Sequence, residues 1–399
     1  MKKKHEIPLL NDHHNHTSFY LTLRNCLDLR SINDYETAFD KIKKLKEDIN
    51  IVLGWNFGNK YRDRIENELP AVLICDSSLH NYIMNKKTKE KLKNTYPEIV
   101  DNIENLDWIE HNLYTIMKFI PQIKNIDQKD IHSFFNYMLE THQIYKMEDL
   151  LLPNSSFIDL YETTGYLKRL QLWIDIKSYF ELDKKYQDKI TGFKLFLDGA
   201  ISPETAALNG YVNSKSNGGI KLYTDEKLMA DLKCAEQENR AVAVHALGEL
   251  VIEQLIRIVE EEKIRLPLLR IEHAQYISED LALRCKKLGI VLSMQVNFSL
   301  ESKLFKGKLT DECLKRNNPF RMLIDKAGFT PGKDLIFSSD GMPHGAQAAL
   351  ENALFPVLES QKLTLEEFVS GYCMETMQPG KISFEINDGR ILNVRTILN

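Results

Sequence analysis

One arrangement recurs along the second half of this chain and limits what it can fold into. A short β-branched or apolar run ends near a polar residue of chemical character, and a helical pattern follows. "GFKLFLDG" (192–199) leads to "TDEKLMADLKCAEQEN", which Thr224 is placed to cap. "AVAVHALG" (241–248) leads into the amphipathic "ELVIEQLIRIVEEEK". "LLRIEHAQ" (268–275) leads to "SEDLALRCKKLG", with Ser278 as cap and Gly289 as stop. "IVLSMQ" (290–295) and "LIFSSDG" (335–341) continue the series. Upstream, "IYKMEDLLL" (144–152), "LKRLQLWIDI" (167–176) and the apolar run ahead of His14 also read as strands. Strands alternating with helices predict βα units and a parallel sheet. Eight of them predict a (β/α)8 TIM barrel, with a doubly wound open sheet as the second choice. A Lys-, Asn- and Glu-rich stretch from about 20 to 140, holding a ninth strand-like run "PAVLICDSSLH" (70–80), reads as a mainly helical insertion after the first strand. The barrel is expected over 1–365, with a tail at 366–399 whose "NDG" between two strand-like runs signals a hairpin.

Where the chain places its histidines bears on function. "NDHHNHTSFY" (11–20) holds three of eleven. In an extended segment alternate side chains share a face, so His14 and His16 point together with Asp12, while His13 and Asn15 point away. Imidazole is a common ligand for zinc, iron, nickel and copper. A short HxH pattern also suits a polar surface turn, so the other strand ends must decide. In a barrel, chemistry collects at the C-terminal ends of the strands. His14 and His16 end the first strand, Lys194 lies in the fourth, His245 ends the fifth, His273 the sixth and Asp340 the eighth. Singly, each has a bland explanation: a structural histidine, a paired lysine, an aspartate capping a turn. Six at one rim form a candidate centre for one or two divalent ions, zinc first among them. Such an ion brings the pKa of water down to about 7. Asp340 would hold metal, take the proton of the attacking water and pass it to a leaving nitrogen. Lys194 could bridge two ions only as its N6-carboxylated form.

These residues resemble a known family. "NDHHNHT", "ICDSSLHNYIMN", "YKMEDLLL", "GFKLFLDGAISPETAAL", "AVAVHALGELVI", "LRIEHAQYISEDLALRCKKLGIVLSMQ" and "SSDGMP" are similar to elements of the amidohydrolase superfamily, in its amidohydrolase family 3 branch of YtcJ-like and N-substituted formamide deformylase-like proteins. The resemblance runs from residue 11 to about 360. It implies His14, His16, Lys194, His245, His273 and Asp340 as metal ligands, and His80 as a histidine near the substrate. It also implies that Arg270 and Glu272 orient ligands and that Asp198 and Gly199 shape a loop over the site, with Gln275 and Gln295 near the pocket or satisfying strand ends. Three departures stand out. The branch carries a β-sandwich built from both chain ends, and with about ten residues before the first ligand strand it is expected to be reduced or missing, its N-terminal strands absent. Glu249 stands where the family has aspartate, and Phe298 where histidine is expected.

Composition removes several other classes. A net charge of -5 gives no basic footprint for nucleic acid, and no apolar run approaches a bilayer span. "MKKKHEIPLL" is too short in apolar residues for a signal peptide. Cys26, Cys75, Cys234, Cys285, Cys313 and Cys373 show no CxxC spacing, so neither a disulfide framework nor a thiolate site is expected, and the location is expected to be cytoplasmic. The leading expectation is hydrolysis of a carbon–nitrogen bond other than a peptide bond, in a small amide, N-formyl or cyclic amide substrate. The alternatives are a lyase or isomerase on the same scaffold, or a non-catalytic binding or regulatory barrel. A homodimer is one way to cover apolar surface left by the short ends.

Overall fold

The computed structural model describes residues 3–76, 81–213 and 218–399. The strands run in chain order as β1 (Lys3–Pro8), β2 (Leu10–Asn15), β3 (Leu27–Asp28), β4 (Asn50–Leu53), β5 (Val72–Cys75), β6 (Tyr82–Met84), β7 (Ile144–Asp149), β8 (Leu170–Ile174), β9 (Ile190–Phe196), β10 (Ala241–Ala246), β11 (Leu269–His273), β12 (Val291–Gln295), β13 (Leu335–Ser338), β14 (Gly380–Asn387) and β15 (Arg390–Leu398). The chain divides into two compact units, one of residues 1–17 with 131–399, the other of 18–130.

In the first unit all eight predicted runs lie in one sheet, ordered β13-β12-β11-β10-β9-β8-β7-β2. Each adjacent pair is parallel. The sheet curls nearly shut. No ladder joins β13 to β2; the two ends meet through the Asp340 amide donating to the His14 carbonyl at 2.9 Å, and through Asp12 accepting from the Ser339 amide at 2.7 Å. This is the eight-stranded barrel that the βα alternation predicts. The helices after the strands carry the predicted signals. Thr224 accepts from the Lys227 amide and Ser278 from the Leu281 amide, while Gly289 ends its helix at φ +71°. The helix Glu249–Glu262 buries Val251, Ile252, Leu255, Ile256, Ile258 and Val259 along one stripe. At about 1.5–3 kcal/mol for each large apolar side chain, that stripe is what fixes the helix to the sheet.

The run before His14 is two strands. The β1 ladder ends at Pro8, which has no amide to donate, and Leu10 starts a new ladder through the Gln143 carbonyl at 2.9 Å. β1 pairs antiparallel with β14, and β14 with β15, so an N-terminal strand does join the tail hairpin in a three-stranded sheet. The expectation that the N-terminal sandwich strands are missing is corrected at β1, which is present and pairs with the tail. The "NDG" signal forms its hairpin, with Asp388 at φ +48° and Gly389 at φ +73°, the pair of positive angles a tight two-residue turn requires.

The second unit is mainly helical, as the insertion is expected to be, and adds a sheet of four short strands. Its sheet runs β3-β4-β5-β6, parallel across the first two pairs and antiparallel at the last. One apolar cluster includes Phe19, Leu73, Met84, Ile116 and Phe119, and another includes Phe39, Val52, Trp55, Val72 and Ile74. β4 and β5 are buried at every position, so these short strands show no period-two alternation to read.

Candidate metal centre

β2 delivers His14, fully buried, and the turn after it delivers His16. The Nε2 atoms of His14 and His16 lie 3.5 and 3.4 Å from Oδ1 of Asp340. Tetrahedral ligands each about 2.1 Å from one zinc ion are roughly 3.4 Å apart. His273, the last residue of β11, sets its ring 4.8 Å from that of His14 between centroids. Ligand atoms of His14, His273 and Asp340 all lie within 4.8 Å of one another. His273 and Asp340 reach these positions at φ +72° and +53°. Such left-handed angles cost free energy for residues with a Cβ, and they concentrate where the surrounding fold holds a functional side chain in place.

His245 stands beside His273, ring centroids 4.5 Å apart. Its Nε2 faces the Gly199 carbonyl at 3.0 Å, which can only accept, so a neutral ring keeps its lone pair on Nδ1. Lys194 is 2 % exposed and its ammonium lies 4.9 Å from the Phe196 ring centroid. Of the six ligand candidates, His14, His16, His273 and Asp340 therefore converge directly, with His245 adjoining. Lys194 is buried in the same interior, where the charges of Glu272 and Asp340 act on it. His80 lies outside the described residues.

Burial dominates the electrostatics. It lowers the pKa of His14 and His16 well below the usual histidine value, Lys194 adding to the effect. For His273 burial acts first, then His245. His245 is brought to about 3 by burial and by Lys194. Neutral imidazole is the form that binds metal. Burial pushes Asp340 upward and Lys194 downward from their ordinary ranges. The donors are also left wanting: both ring nitrogens of His273, Nδ1 of His16 and Nζ of Lys194 are buried without a hydrogen-bond partner among the described residues. One ion takes one nitrogen of each ring, so a divalent cation beside Asp340 would satisfy one nitrogen of His273 together with the Nε2 atoms of His14 and His16.

The neighbours orient these donors. Glu272 accepts from Nδ1 of His14 at 2.7 Å, which leaves Nε2 free to ligate. Arg270 contacts Glu272 closely and donates to Glu148 at 2.9 Å and to the His13 carbonyl at 3.0 Å. Asp198 accepts backbone amides of Ala207, Leu247 and Gly248 and so joins two loops at the strand ends. Gln295 donates to Ser338 at 2.9 Å, near His14. Gln275 instead ties Glu301 to Asn317. Asn297 holds the carbonyls of Ser339 and Met342 on either side of Asp340. The Phe298 ring lies parallel to that of His273, the planes 4° apart in angle and the centroids 5.9 Å apart, so the departure from histidine places an apolar wall beside a candidate ligand. Glu249 accepts from the Asn209 amide at 3.1 Å and faces Arg316 at 3.5 Å.

Two placements differ from strict alternation. Asn15 is buried and donates to Asp12 at 2.9 Å, because the β2–β7 register shifts between Asp12 and Asn15. His13 does not simply face away; its Nδ1 meets Glu148 at 2.9 Å. Glu148 itself is a site neighbour that the sequence reading passed over. Its only signal is an acid inside the otherwise strand-like "IYKMED".

All six cysteines are free. No helix among the described residues is long and apolar enough to cross a membrane.

YtcJ of Bacillus subtilis (strain 168) is 32% identical over 107 residues, 26% of this chain and 20% of that protein. The protein LONG AFTER FAR-RED 3 of Arabidopsis thaliana is 27% identical over 141 residues, 34% of this chain and 24% of that protein. The matched segments thus span a quarter or less of these relatives' own lengths. A crystal structure of an uncharacterized metal-dependent hydrolase from Pyrococcus furiosus shares the fold, with a TM-score of 0.70 at 20% identity over 92% of this chain and 80% of that one. Its counterpart from Pyrococcus horikoshii OT3 also gives 0.70 at 20% identity, over 88% and 74%. The sequence profile of the amidohydrolase family matches residues 128–345, more than half of the chain, and takes in Lys194, His245, His273 and Asp340. On that match, and on the barrel that carries these residues, the chain belongs to the amidohydrolase family, in its family 3 branch.

Proposed function

We propose that this protein is a metal-dependent hydrolase that cleaves the carbon–nitrogen bond of a small amide, N-formyl or cyclic amide compound. Family membership supports the reaction class. The observation that carries the reading is the convergence of His14, His16 and His273 on Asp340, with both His273 ring nitrogens buried and without a hydrogen-bond partner among the described residues. A divalent ion, zinc by this donor set, would be held by these four residues. His245 and an N6-carboxylated Lys194 would extend the set to a second ion. When bound, the metal supplies Lewis-acid polarisation and water activation.

The chain's own residues do the rest. Glu272 keeps the proton of His14 on Nδ1. Burial raises Asp340 toward the range where a carboxylate can accept a proton and later return it to a leaving nitrogen. Burial also favours the neutral amine of Lys194, the form that reacts with carbon dioxide. Phe298 and Phe196, against His273 and His245, favour a compact substrate with an apolar face. The test is amine release from a panel of N-formyl amines, primary amides and cyclic amides by zinc-loaded protein, with Asp340→Asn as control. Turnover that falls at least about a hundredfold in the control supports the reading. Full zinc occupancy with no turnover of any carbon–nitrogen substrate would sink it.

A further inference from the structure

Under the candidate centre lies a closed circuit of buried polar groups that metal binding alone does not explain. Glu148, 2 % exposed near the end of β7, uses both carboxylate oxygens. Oε1 meets Nδ1 of His13 at 2.9 Å; Oε2 accepts from the Trp173 indole at 2.8 Å and from Arg270 at 2.9 Å. Arg270, also 2 % exposed, donates as well to Glu272 and to the His13 carbonyl, with its guanidinium 4.8 Å from the Trp173 ring centroid. Glu272 gives one oxygen to Arg270 and the other to His14. Because His13 and His14 are consecutive, the circuit returns to its start.

We infer that Glu148 is a positioning residue for His14, acting through Arg270 and Glu272 to hold the imidazole with its proton on Nδ1 and its lone pair on Nε2. The reason is competition for Glu272. A buried guanidinium needs its charge balanced and its donors paired. With Glu148 present, Arg270 divides itself between two carboxylates, and Glu272 keeps an oxygen for His14. Without that charge, Arg270 has Glu272 as its one carboxylate and draws it away from the imidazole. Glu148 also fixes the His13 ring, so it sets the strand direction from which His14 projects.

The inference rests on the metal-centre reading, and the experiment separates the two. Protein labelled with ¹⁵N-histidine, in the metal-free state, reports the His14 tautomer from its ring-nitrogen shifts, assigned with His14→Gln. Zinc affinity is measured separately by competition with a chromogenic chelator. In Glu148→Gln we expect His14 to leave the pure Nδ1–H form and the zinc Kd to rise about 10- to 100-fold, the range for loss of a partner behind a ligand. The histidine signals of His245 and His273 should stay in place, which general loosening would not allow. Trp173→Phe removes one hydrogen bond to Glu148 and keeps the charge; it should move both readouts in the same direction by less, and it decides the matter if Glu148→Gln fails to fold. An unchanged tautomer, with a zinc Kd within twofold of wild type, would overturn the role of Glu148. Wild-type protein that binds no zinc would instead remove the metal reading, and the tautomer measurement would still judge the circuit.

Discussion

Asp12 closes the barrel seam, and its removal should open it. It is fully buried on β2 and accepts from the Ser339 amide at 2.7 Å, the Ser339 hydroxyl at 2.6 Å, the Asn15 amide group at 2.9 Å and the Tyr372 hydroxyl at 3.4 Å. Since no ladder joins β13 to β2, these bonds and the Asp340 amide on the His14 carbonyl carry the junction. Hydrogen bonds to a charged group contribute about 1.5–3 kcal/mol each, and a buried donor left unpaired costs about 1–3 kcal/mol. Burial offsets part of this, since it raises the Asp12 pKa by penalising the charge. Asp12→Ala should therefore lose about 3–5 kcal/mol. Asp12→Asn, which keeps one acceptor but sets an NH₂ against existing donors, should lose about 1–2 kcal/mol. Equilibrium unfolding in urea, followed by fluorescence and far-UV circular dichroism, measures both. The metal centre should suffer with the seam, because Asp340 follows Ser339 directly, so zinc affinity should fall in the same order. An Asp12→Ala variant within about 1 kcal/mol of wild type would refute the seam argument.

Three other substitutions probe separate parts of the structure. A Cβ on Gly248 would stand 1.9 Å from the Ala207 carbonyl oxygen and 2.2 Å from its carbon, so Gly248→Ala should destabilise by about 3 kcal/mol or more in urea unfolding, with a wild-type midpoint refuting the close approach. Phe298→Ala, at a side chain 8% exposed, should cost about 3 kcal/mol in the same assay and speed zinc loss by freeing His273; unchanged zinc release would separate the ring from the centre. His344 accepts from the Asn15 amide group at 2.9 Å, and burial, then His142, lowers its pKa to about 3. Its neutral form is the folded one, so its stabilisation is present above about 6.5 and is lost as the pH falls toward 3. His344→Gln, which can still accept from Asn15, should move acid unfolding to lower pH, and an unmoved midpoint would contradict this.

The barrel could be read from the sequence because its strands are short apolar runs, several of them followed by an amphipathic helix with its own start or stop signal, a pattern that is local in the chain. The candidate donors could be picked out for the same reason: His14, His245, His273 and Asp340 stand at or just past strand ends, and a barrel brings strand ends to one rim. What escaped was non-local. Nothing near "KKHEIP" announces that its partner is "GKISFEIN", more than 370 residues away, though Pro8 marks where the first ladder stops. In the 18–130 unit only β5 is announced, by "PAVLICDSSLH"; β3, β4 and β6 escaped because they are two to four residues long and β4 is buried throughout. Asn15 broke the alternation rule through a register shift, which a strand period cannot reveal. Glu148 has one acid's worth of local signal, and its meaning depends on His13, Trp173 and Arg270 arriving from three other strands.

Metal content is the most direct test of the central claim. Protein purified without chelator and without a polyhistidine tag should carry one to two equivalents of zinc or another divalent metal by plasma mass spectrometry, and a His14→Ala/His16→Ala double variant, shown folded by circular dichroism, should carry almost none. Wild-type protein that stays metal-free after incubation with zinc and bicarbonate, or a double variant that keeps its full complement, would contradict the account.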